Sequence, residues 1–374
     1  MMTPHQLMAG RCQSGIGVPP VSRADLFREL PIFMETVYKR RLLGWYNATK
    51  FNMGGTGFFH QFYIWMLVRA LKPKHIIESG AYNGLGTWVL RQAAPEAQII
   101  VVSPQTPHLY VDQRENSRYF TAEHFRDFAT IDWSCVHGLD RSKTLVFIDD
   151  HQSGYRRMLE AHARGFRHHM YDDNEMPATS DHFSVKGACA ASNNSLVGPI
   201  AWDDFRGIVH DWGRWKRGLF NVSVAQLRHV GRSFARAIDV YAEMPPIWMV
   251  GRHRPDAAPP ILSADAASTF QTTYKDNLRS ARAETIAYNY FLYVHTKSHG
   301  EAPPSELYYP QHVTTNGYKG ILPVETGSCK GNSPGGAKPS ELKQTRQNDD
   351  FKRNYGAGAR TILAPSIQRR ARKA

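Results

Sequence analysis

The sequence predicts an open, doubly wound α/β sheet, and two observations carry this prediction. Residues 75–103 contain an apolar run, a glycine-rich turn, a helical pattern and a second apolar run, which is the order of a βαβ unit. Two later apolar runs, at 144–148 and 167–171, have the length and hydrophobicity of buried parallel strands. The chain has 374 residues, 42% of them hydrophobic, which suffices for a sizeable core. This composition excludes a disulfide-rich miniprotein, a collagen-like fibre and a wholly disordered chain.

The chain before the βαβ unit is predicted to be flexible and then helical. Residues 1–23 are expected to form a flexible N-terminus. Ser22 and Asp25 then form a capping pair at the start of a first helix. Residues 58–71, FFHQFYIWMLVRAL, are apolar around more than one face, which predicts a well-buried helix stopped by Pro73.

The sequence also predicts the strands of the sheet and the helices between them. The aromatic segment 286–295 is β-prone and is expected to form a closing edge strand or hairpin. The preceding elements are strands at 75–79, 98–103, 128–133, 144–148 and 167–171, and helices at 87–94 and 153–163.

The rest of the chain is predicted to form an insertion and a tail. Residues 186–285 are expected to be a helical insertion within one domain of residues 24–325, because 202–240 has a helical pattern. Residues 326–374 contain eleven Lys and Arg against three Asp and Glu, so they carry +8 of the formal net charge of +13. Their composition predicts a disordered basic C-terminal tail. Its charge favours RNA or another anionic partner, and a solvated end without a partner is the alternative.

The cysteines and the hydropathy bear on the compartment. Cys12, Cys135, Cys189 and Cys329 are far apart in sequence, which favours free thiols in a reducing compartment. No apolar run reaches about 18 residues, so no transmembrane helix is expected. We therefore expect a cytoplasmic protein. Organellar import is the alternative, because residues 1–24 include two Arg and no acidic residue.

Three polar segments are expected to meet at one edge of the sheet. The turn at 80–84 follows the first strand, Asp-Asp-His at 149–151 follows the strand at 144–148, and Asp-Asp-Asn at 172–174 follows the next. Ligands of open parallel sheets bind at the carboxyl ends of the strands. Glycines let a ligand approach the backbone, and the following helix N-terminus favours an anionic group. A tight structural turn is the alternative.

The acidic segments offer ligands for a metal ion. Asp149, Asp173 and Asn174 supply carboxylate and amide oxygens, which Mg²⁺ prefers. A cation there would bind a diol or carboxylate and lower the pKa of a hydroxyl group. Asp149 and His151 are the candidate catalytic residues, with His151 as the general base. Helix capping by the Asp residues and a structural hydrogen bond of His151 are the alternatives.

The glycine turn, E-S-G-A-Y-N-G, resembles motif I of class I S-adenosylmethionine-dependent methyltransferases, whose sheet is Rossmann-like. More narrowly, G-A-Y-x-G is similar to the catechol-type O-methyltransferases. F-I-D-D-H and Y-D-D-N are similar to the segments that carry the Mg²⁺ ligands of those enzymes, and cephalosporin hydroxylase-like members have a comparable acidic rim. The resemblance covers roughly residues 58–185.

This resemblance implies an O-methyltransferase that uses S-adenosylmethionine, is assisted by Mg²⁺ and acts on a small-molecule or glycan-like acceptor. It also implies the residues that contact the cofactor. They are Glu78, Gly80, Ala81, Tyr82, Gly84, Ser103 and Asp150.

Two positions depart from the pattern of this family. An acid for the cofactor ribose is expected at the end of the second strand, where Val101 and Ser103 stand. Gln152 occupies the position of a catalytic Lys and cannot serve as a base. These departures keep two alternatives open. One is a catalytically silent methyltransferase-like module that binds RNA or a large assembly, and the other is a metal-dependent hydroxylase or hydrolase that uses the same acidic rim.

Overall fold

The computed structural model describes nine segments of the chain, most of them within one compact unit of residues 1–339. A second, small unit spans residues 340–374, of which residues 340–342 are described. The predicted N-terminal segment and basic tail therefore lie almost wholly outside the described residues. The segments described are 17–40, 56–174, 184–192, 207–211, 214–218, 224–248, 258–278, 290–298 and 338–342.

Within the described segments, nine strands form two sheets. They are β1 His75–Ser79, β2 Gln98–Ser103, β3 Ser117–Thr121, β4 Leu145–Ile148, β5 His168–Tyr171, β6 Gly207–Asp211, β7 Arg214–Gly218, β8 Ile238–Glu243 and β9 Leu292–Thr296. The large sheet has the order β3-β2-β1-β4-β5-β9-β8, and β6 pairs with β7 in a separate antiparallel hairpin.

The large sheet is parallel except for β9. Strands β1 to β5 pair in parallel, whereas β9 runs antiparallel to both β5 and β8. The chain passes from β1 outward through β2 to β3, and then crosses back to β4 beside β1. The strand order therefore reverses between β1 and β4, and in such sheets this switch point opens the ligand crevice at the carboxyl ends of the strands. The predicted doubly wound, Rossmann-like α/β fold is confirmed.

The described helices surround this sheet. The first begins as predicted, because Ser22 and Asp25 form a capping box, and it continues into a π-helical turn at Met34–Tyr38. The second has the predicted bounds, and eleven of its fourteen residues are buried. The helices are α1 Arg23–Phe33, α2 Phe58–Leu71, α3 Leu85–Ala93, α4 Gly154–Ala163, α5 Val185–Ser192, α6 Val224–Ala237 and α7 Ala264–Thr273.

The third strand is not where the sequence predicted it. The segment 128–133 forms a turn, with the side chain of Asp127 accepting the N–H of Ala129 at 2.8 Å. Its apolar side chains, Phe128 and Trp133, pack in the core instead of pairing in the sheet. The strand beside β2 is 117–121, whose mixed polar and apolar sequence hid it. The apolar run at 128–133 therefore reflects burial in the core and not pairing in a sheet.

The predicted helical insertion contains strands as well as helices. Residues 202–240 include the β6–β7 hairpin and the helix α6, and β8 follows α6 directly to join the large sheet. The predicted closing strand is confirmed as β9, but it lies between β5 and β8 and is not an edge. Its apolar sequence agrees with this position, because an interior strand is covered on both faces.

The expectation of free thiols is wrong for two of the cysteines. Cys135 and Cys189 are both disulfide-bonded, which their wide sequence spacing did not indicate. Cys12 and Cys329 lie outside the described residues. Among the described helices, none combines the length and the hydrophobicity that crossing a lipid bilayer requires.

Candidate active site

The glycine turn brings the end of β1 against two other segments. Gly80 has φ +91°, and a Cβ atom there would lie 1.9 Å from the carbonyl oxygen of Asp149. Gly84 has φ +88°, and a Cβ atom there would lie 2.1 Å from the carbonyl oxygen of Tyr110. Both positions therefore require glycine, for left-handed backbone and for close approach together. The close contacts with Asp149 and Tyr110 account for both glycines through backbone packing at the switch point.

Glu78 lies beneath this turn and is buried. Its carboxylate accepts a hydrogen bond from the hydroxyl of Thr87 in the first turn of α3. Burial raises the pKa of Glu78 to about 8, although the Thr87 hydrogen bond acts in the opposite direction. Gly86 makes room for this carboxylate, since a Cβ atom there would lie 2.4 Å from its Oε1. Glu78 thus holds the turn to α3 from below.

The turn presents an aromatic ring and an uncapped helix end. Ala81 is buried, whereas Tyr82 is 38% exposed and has a left-handed backbone, φ +41°. Gly84 is the N-cap of α3, and no side chain caps its first turn. Backbone N–H groups at such a helix end attract an anionic group of a ligand. The binding of an anionic group beside Tyr82 stays a prediction.

The end of β2 carries the predicted residue Ser103, which is buried opposite Thr121 of β3. The first acid along the chain after β2, Asp112, does not take the place of the acid that the resemblance implies at the end of β2. Its carboxylate forms a buried ion pair with Arg91, with Oδ2 at 2.8 Å from Nε, and is 2% exposed. Asp112 therefore stabilises the loop between β2 and β3.

The segment that leaves β4, residues 149–151, we call the β4 exit. The Asp149 N–H donates to Ser79 at the end of β1, over 2.7 Å, which ties the two strand ends together. Asp150 is turned inward, where its carboxylate accepts from the hydroxyl of Ser79 at 2.7 Å and from Arg157 Nε at 2.8 Å. His151 has left-handed backbone, φ +52°, and its side chain is 39% exposed. The chain therefore turns sharply here and directs the imidazole outward.

The segment that leaves β5, residues 172–174, we call the β5 exit. Asp172 is turned inward, where its Oδ1 lies 2.5 Å from His60 Nδ1. Asn174 is also buried. Its amide donates to Tyr241 at 3.1 Å, and its Oδ1 accepts the N–H of Lys186 at 2.8 Å. The structure thus engages Asn174 in fixing α5 to the sheet. Its use as a metal ligand stays a prediction.

Three side chains of the two exits converge, and we call them the acidic cluster. Asp149, His151 and Asp173 each offer one ligand atom, and these atoms all lie within 4.8 Å of one another. His151 Nδ1 is 3.6 Å from Asp173 Oδ2. Burial raises the pKa of Asp149 well above its ordinary value, and the nearby carboxylates, Asp172 first among them, raise it further. A cation at this position would relieve that repulsion, and the two carboxylates offer the oxygen donors that Mg²⁺ prefers.

Arg157 of α4 holds the β4 exit and was not predicted as part of the site. Charged residues of a helix usually lie on its exposed face, but Arg157 is 4% exposed. Its guanidinium contacts three carboxylates, those of Asp150, Asp127 and Glu160, at 2.7–2.9 Å. Burial acts to raise the pKa of Asp127, but Arg157 outweighs it and holds that pKa at about 2.

His60 holds the β5 exit and was also missed. It is 1% exposed in α2, and its Nε2 accepts the N–H of Tyr290 at 3.3 Å. Because Nε2 is the acceptor, the proton of the neutral ring lies on Nδ1, which donates to Asp172. The signal was a histidine within an apolar helix, since a buried polar group needs a partner. The sequence could not show which residue that partner is.

Comparisons with known proteins add one structural similarity. No family model matches the chain, and no curated protein matches it. Among solved structures, the chain is similar to a "putative O-methyltransferase" from Klebsiella pneumoniae, with 14% sequence identity and a TM-score of 0.29, over 63% of this chain and 79% of the other. The fold class follows from the strand order itself.

Proposed function

We propose that the protein is an S-adenosylmethionine-dependent O-methyltransferase whose acidic cluster binds a divalent cation, Mg²⁺ by preference. One observation carries the proposal. The glycine turn, the β4 exit and the acid of the β5 exit meet at the switch point of the sheet, where the ends of β1 and β4 are hydrogen-bonded.

The cofactor is assigned to the turn after β1. S-adenosylmethionine carries a carboxylate at its methionine end, and the uncapped N-terminus of α3 suits such a group. The exposed ring of Tyr82 lies on the same turn and offers an apolar surface beside it. Ser103 is the residue of β2 proposed to face the ribose. Glu78 acts through the turn, because its carboxyl is buried against α3.

The metal is assigned to Asp149 and Asp173. Their carboxylates fit a divalent cation, and Asn174 would join them only by releasing its hold on α5. When bound, the cofactor supplies an electrophilic methyl group and the cation lowers the pKa of a coordinated hydroxyl group.

The chain's own residues then orient the acceptor and remove its proton. Asp173 lies on the Nδ1 side of His151, at 3.6 Å, and His151 accepts the hydroxyl proton of the acceptor at Nε2. Bound S-adenosylmethionine would supply its methyl group to the acceptor oxygen, and the electron pair of the carbon–sulfur bond would remain with the thioether product. Positioning of the two reactants is the main contribution of the protein.

The test is calorimetric titration with S-adenosylmethionine, with and without Mg²⁺, followed by titration with Mn²⁺ as the metal probe. We expect micromolar binding of the cofactor to the wild-type protein. Asp173→Asn should keep this binding but lose at least tenfold in Mn²⁺ affinity. Asp140→Asn is the matched control, because Asp140 is an exposed carboxylate before β4, at the opposite end of the strand.

Each outcome decides a separate part of the proposal. Absence of cofactor binding in both conditions would rule out the methyltransferase. Cofactor binding together with unchanged Mn²⁺ affinity in Asp173→Asn would remove only the metal site. Metal binding without cofactor binding would favour the metal-dependent hydroxylase or hydrolase, for which the imidazole in the cluster is the supporting observation. The RNA-binding module stays a prediction, because most of the basic tail lies outside the described residues.

A further inference from the structure

We infer that His60 is a positioning residue of the candidate active site, which it serves by fixing both chain neighbours of Asp173. This inference deepens the proposed function and rests on it for the role of the acidic cluster. His60 itself is buried in α2, so it acts through other residues.

The first contact fixes the residue before Asp173. The 2.5 Å hydrogen bond from His60 Nδ1 turns the carboxylate of Asp172 into the protein, and Asp172 is 3% exposed. The Asp172 N–H also donates to Ile148 at the end of β4, over 3.1 Å. With the carboxylate of Asp172 held inward, Asp173 is the acid of the β5 exit that meets Asp149 and His151.

The second contact fixes the residue after Asp173. His60 Nε2 accepts the N–H of Tyr290, and the carbonyl oxygen of Tyr290 accepts the N–H of Asn174 at 3.0 Å. Tyr290 stands two residues before β9, so the β5 exit is tied to the start of β9. We call His60, Asp172 and Tyr290 the His60 clamp.

The clamp also sets the charge beside the acidic cluster. Asp172 lies beside the β4 exit, because its N–H donates to Ile148, the residue before Asp149. Without a donor from His60, the carboxylate of Asp172 would be a buried anion that lacks this hydrogen bond. Because an unpaired buried charge is costly, we expect this carboxylate to turn toward the rim and to compete with Asp173 for a cation.

The test uses three variants. His60→Leu removes both ring nitrogens. His60→Asn retains an N–H donor at the position of Nδ1 and so can restore the bond to Asp172. Phe62→Leu is the control for lost packing, because Phe62 is fully buried on the same helix and contacts Phe33.

The first measurement is Mn²⁺ affinity. We expect His60→Leu to bind Mn²⁺ at least tenfold more weakly than the wild type, and His60→Asn to stay within about threefold of it, since groups that orient metal ligands typically contribute 10–100-fold. Phe62→Leu should lower stability without changing Mn²⁺ affinity. Equal Mn²⁺ affinity in the wild type and His60→Leu would overturn the inference.

The second measurement needs no metal and separates the inference from the proposed function. The imidazole ¹H–¹³C signal of His151 is identified by its disappearance in His151→Asn. We expect this signal to shift or broaden in His60→Leu and to remain in place in His60→Asn and Phe62→Leu. If the wild type binds no Mn²⁺ and the signal still shifts, the metal site fails and the positioning role stands. An unmoved signal in His60→Leu refutes the positioning role.

Discussion

The β4 exit and the β5 exit solve one problem with different partners. Each contains two adjacent Asp residues, of which one is turned inward onto a base and the other belongs to the acidic cluster. At the β4 exit the base is Arg157, seven residues further along the chain. At the β5 exit it is His60, which lies 112 residues earlier in the sequence.

The difference shows how strongly each exit is fixed. Arg157 is charged at every accessible pH and satisfies three carboxylates with one guanidinium. His60 offers one donor and one acceptor, so it links two segments and neutralises little charge. The β4 exit is thus held by charge from its own following helix. The β5 exit is held by hydrogen bonds that depend on the docking of α2.

The largest effect is expected at Arg157. Arg157→Met would leave the carboxylates of Asp150, Asp127 and Glu160, of which Glu160 is fully buried, without their shared cation. We expect a loss of about 3–5 kcal/mol in the free energy of unfolding. Urea denaturation measures it. Arg156→Met is the control, because Arg156 is partly exposed and its described ion pair is with Glu160, which predicts about 1 kcal/mol or less. Similar losses in both variants would contradict the central role of Arg157.

The next effect concerns Glu78, a buried acid whose described side-chain partner is a hydroxyl group and not a base. Its pKa rises from 4.5 to about 8 on folding. The folded state therefore binds the proton more tightly, so stability is highest below pH 4.5 and declines as the pH rises to about 8. A tenfold change in proton affinity corresponds to about 1.4 kcal/mol, so a pKa raised from 4.5 to about 8 gives a decline of at most about 5 kcal/mol from this residue.

Glu78→Gln keeps an acceptor for Thr87 and removes the titrating group. We expect the variant to lose this part of the decline, so that its stability relative to the wild type increases between pH 5 and pH 8 in urea titrations. A constant difference between the two proteins over this range would show that the carboxyl of Glu78 does not titrate there.

A smaller effect is expected where β1 meets the β4 exit. Gly80→Ala places a Cβ atom against the carbonyl of Asp149 and in left-handed backbone, so we expect a loss of about 2 kcal/mol or more. Gly138→Ala is the matched control. Its φ is +71°, but no atom lies within 4 Å of the added Cβ, so only the conformational cost of about 1 kcal/mol remains. Equal losses in thermal denaturation would mean that close packing at Gly80 adds nothing.

Much of the fold was predictable because its signals are local. The bounds of α2, β1 and β2 agree with the apolar runs, since a fully buried helix or strand needs an apolar sequence along its whole length. The prediction of the third strand was wrong for the same reason, because it relied on an apolar run. Residues 128–133 are as buried as a strand but pack in a turn, whereas β3 has polar residues at 117 and 118.

The candidate site was predictable in its location and not in all its members. Parallel strands deliver their carboxyl ends to one edge, so the meeting of Asp149 with Asp173 followed from the strand pattern. The sequence could not show which of these polar side chains point into the protein and which point toward the rim. Asp150 and Asn174 are engaged in the interior, and His151 entered the cluster because its left-handed backbone turns the chain.

The sequence by itself determined the order of elements, the glycine positions and the two acidic exits, because turns, caps and apolar runs act over a few residues. The tertiary structure decided which base meets which acid. Asp172 and His60 become partners only when α2 packs beside β5 and β9, a contact between residues 112 apart that no local preference encodes. This pairing matters for stability, since a carboxylate removed from water needs a hydrogen-bond donor or a cation.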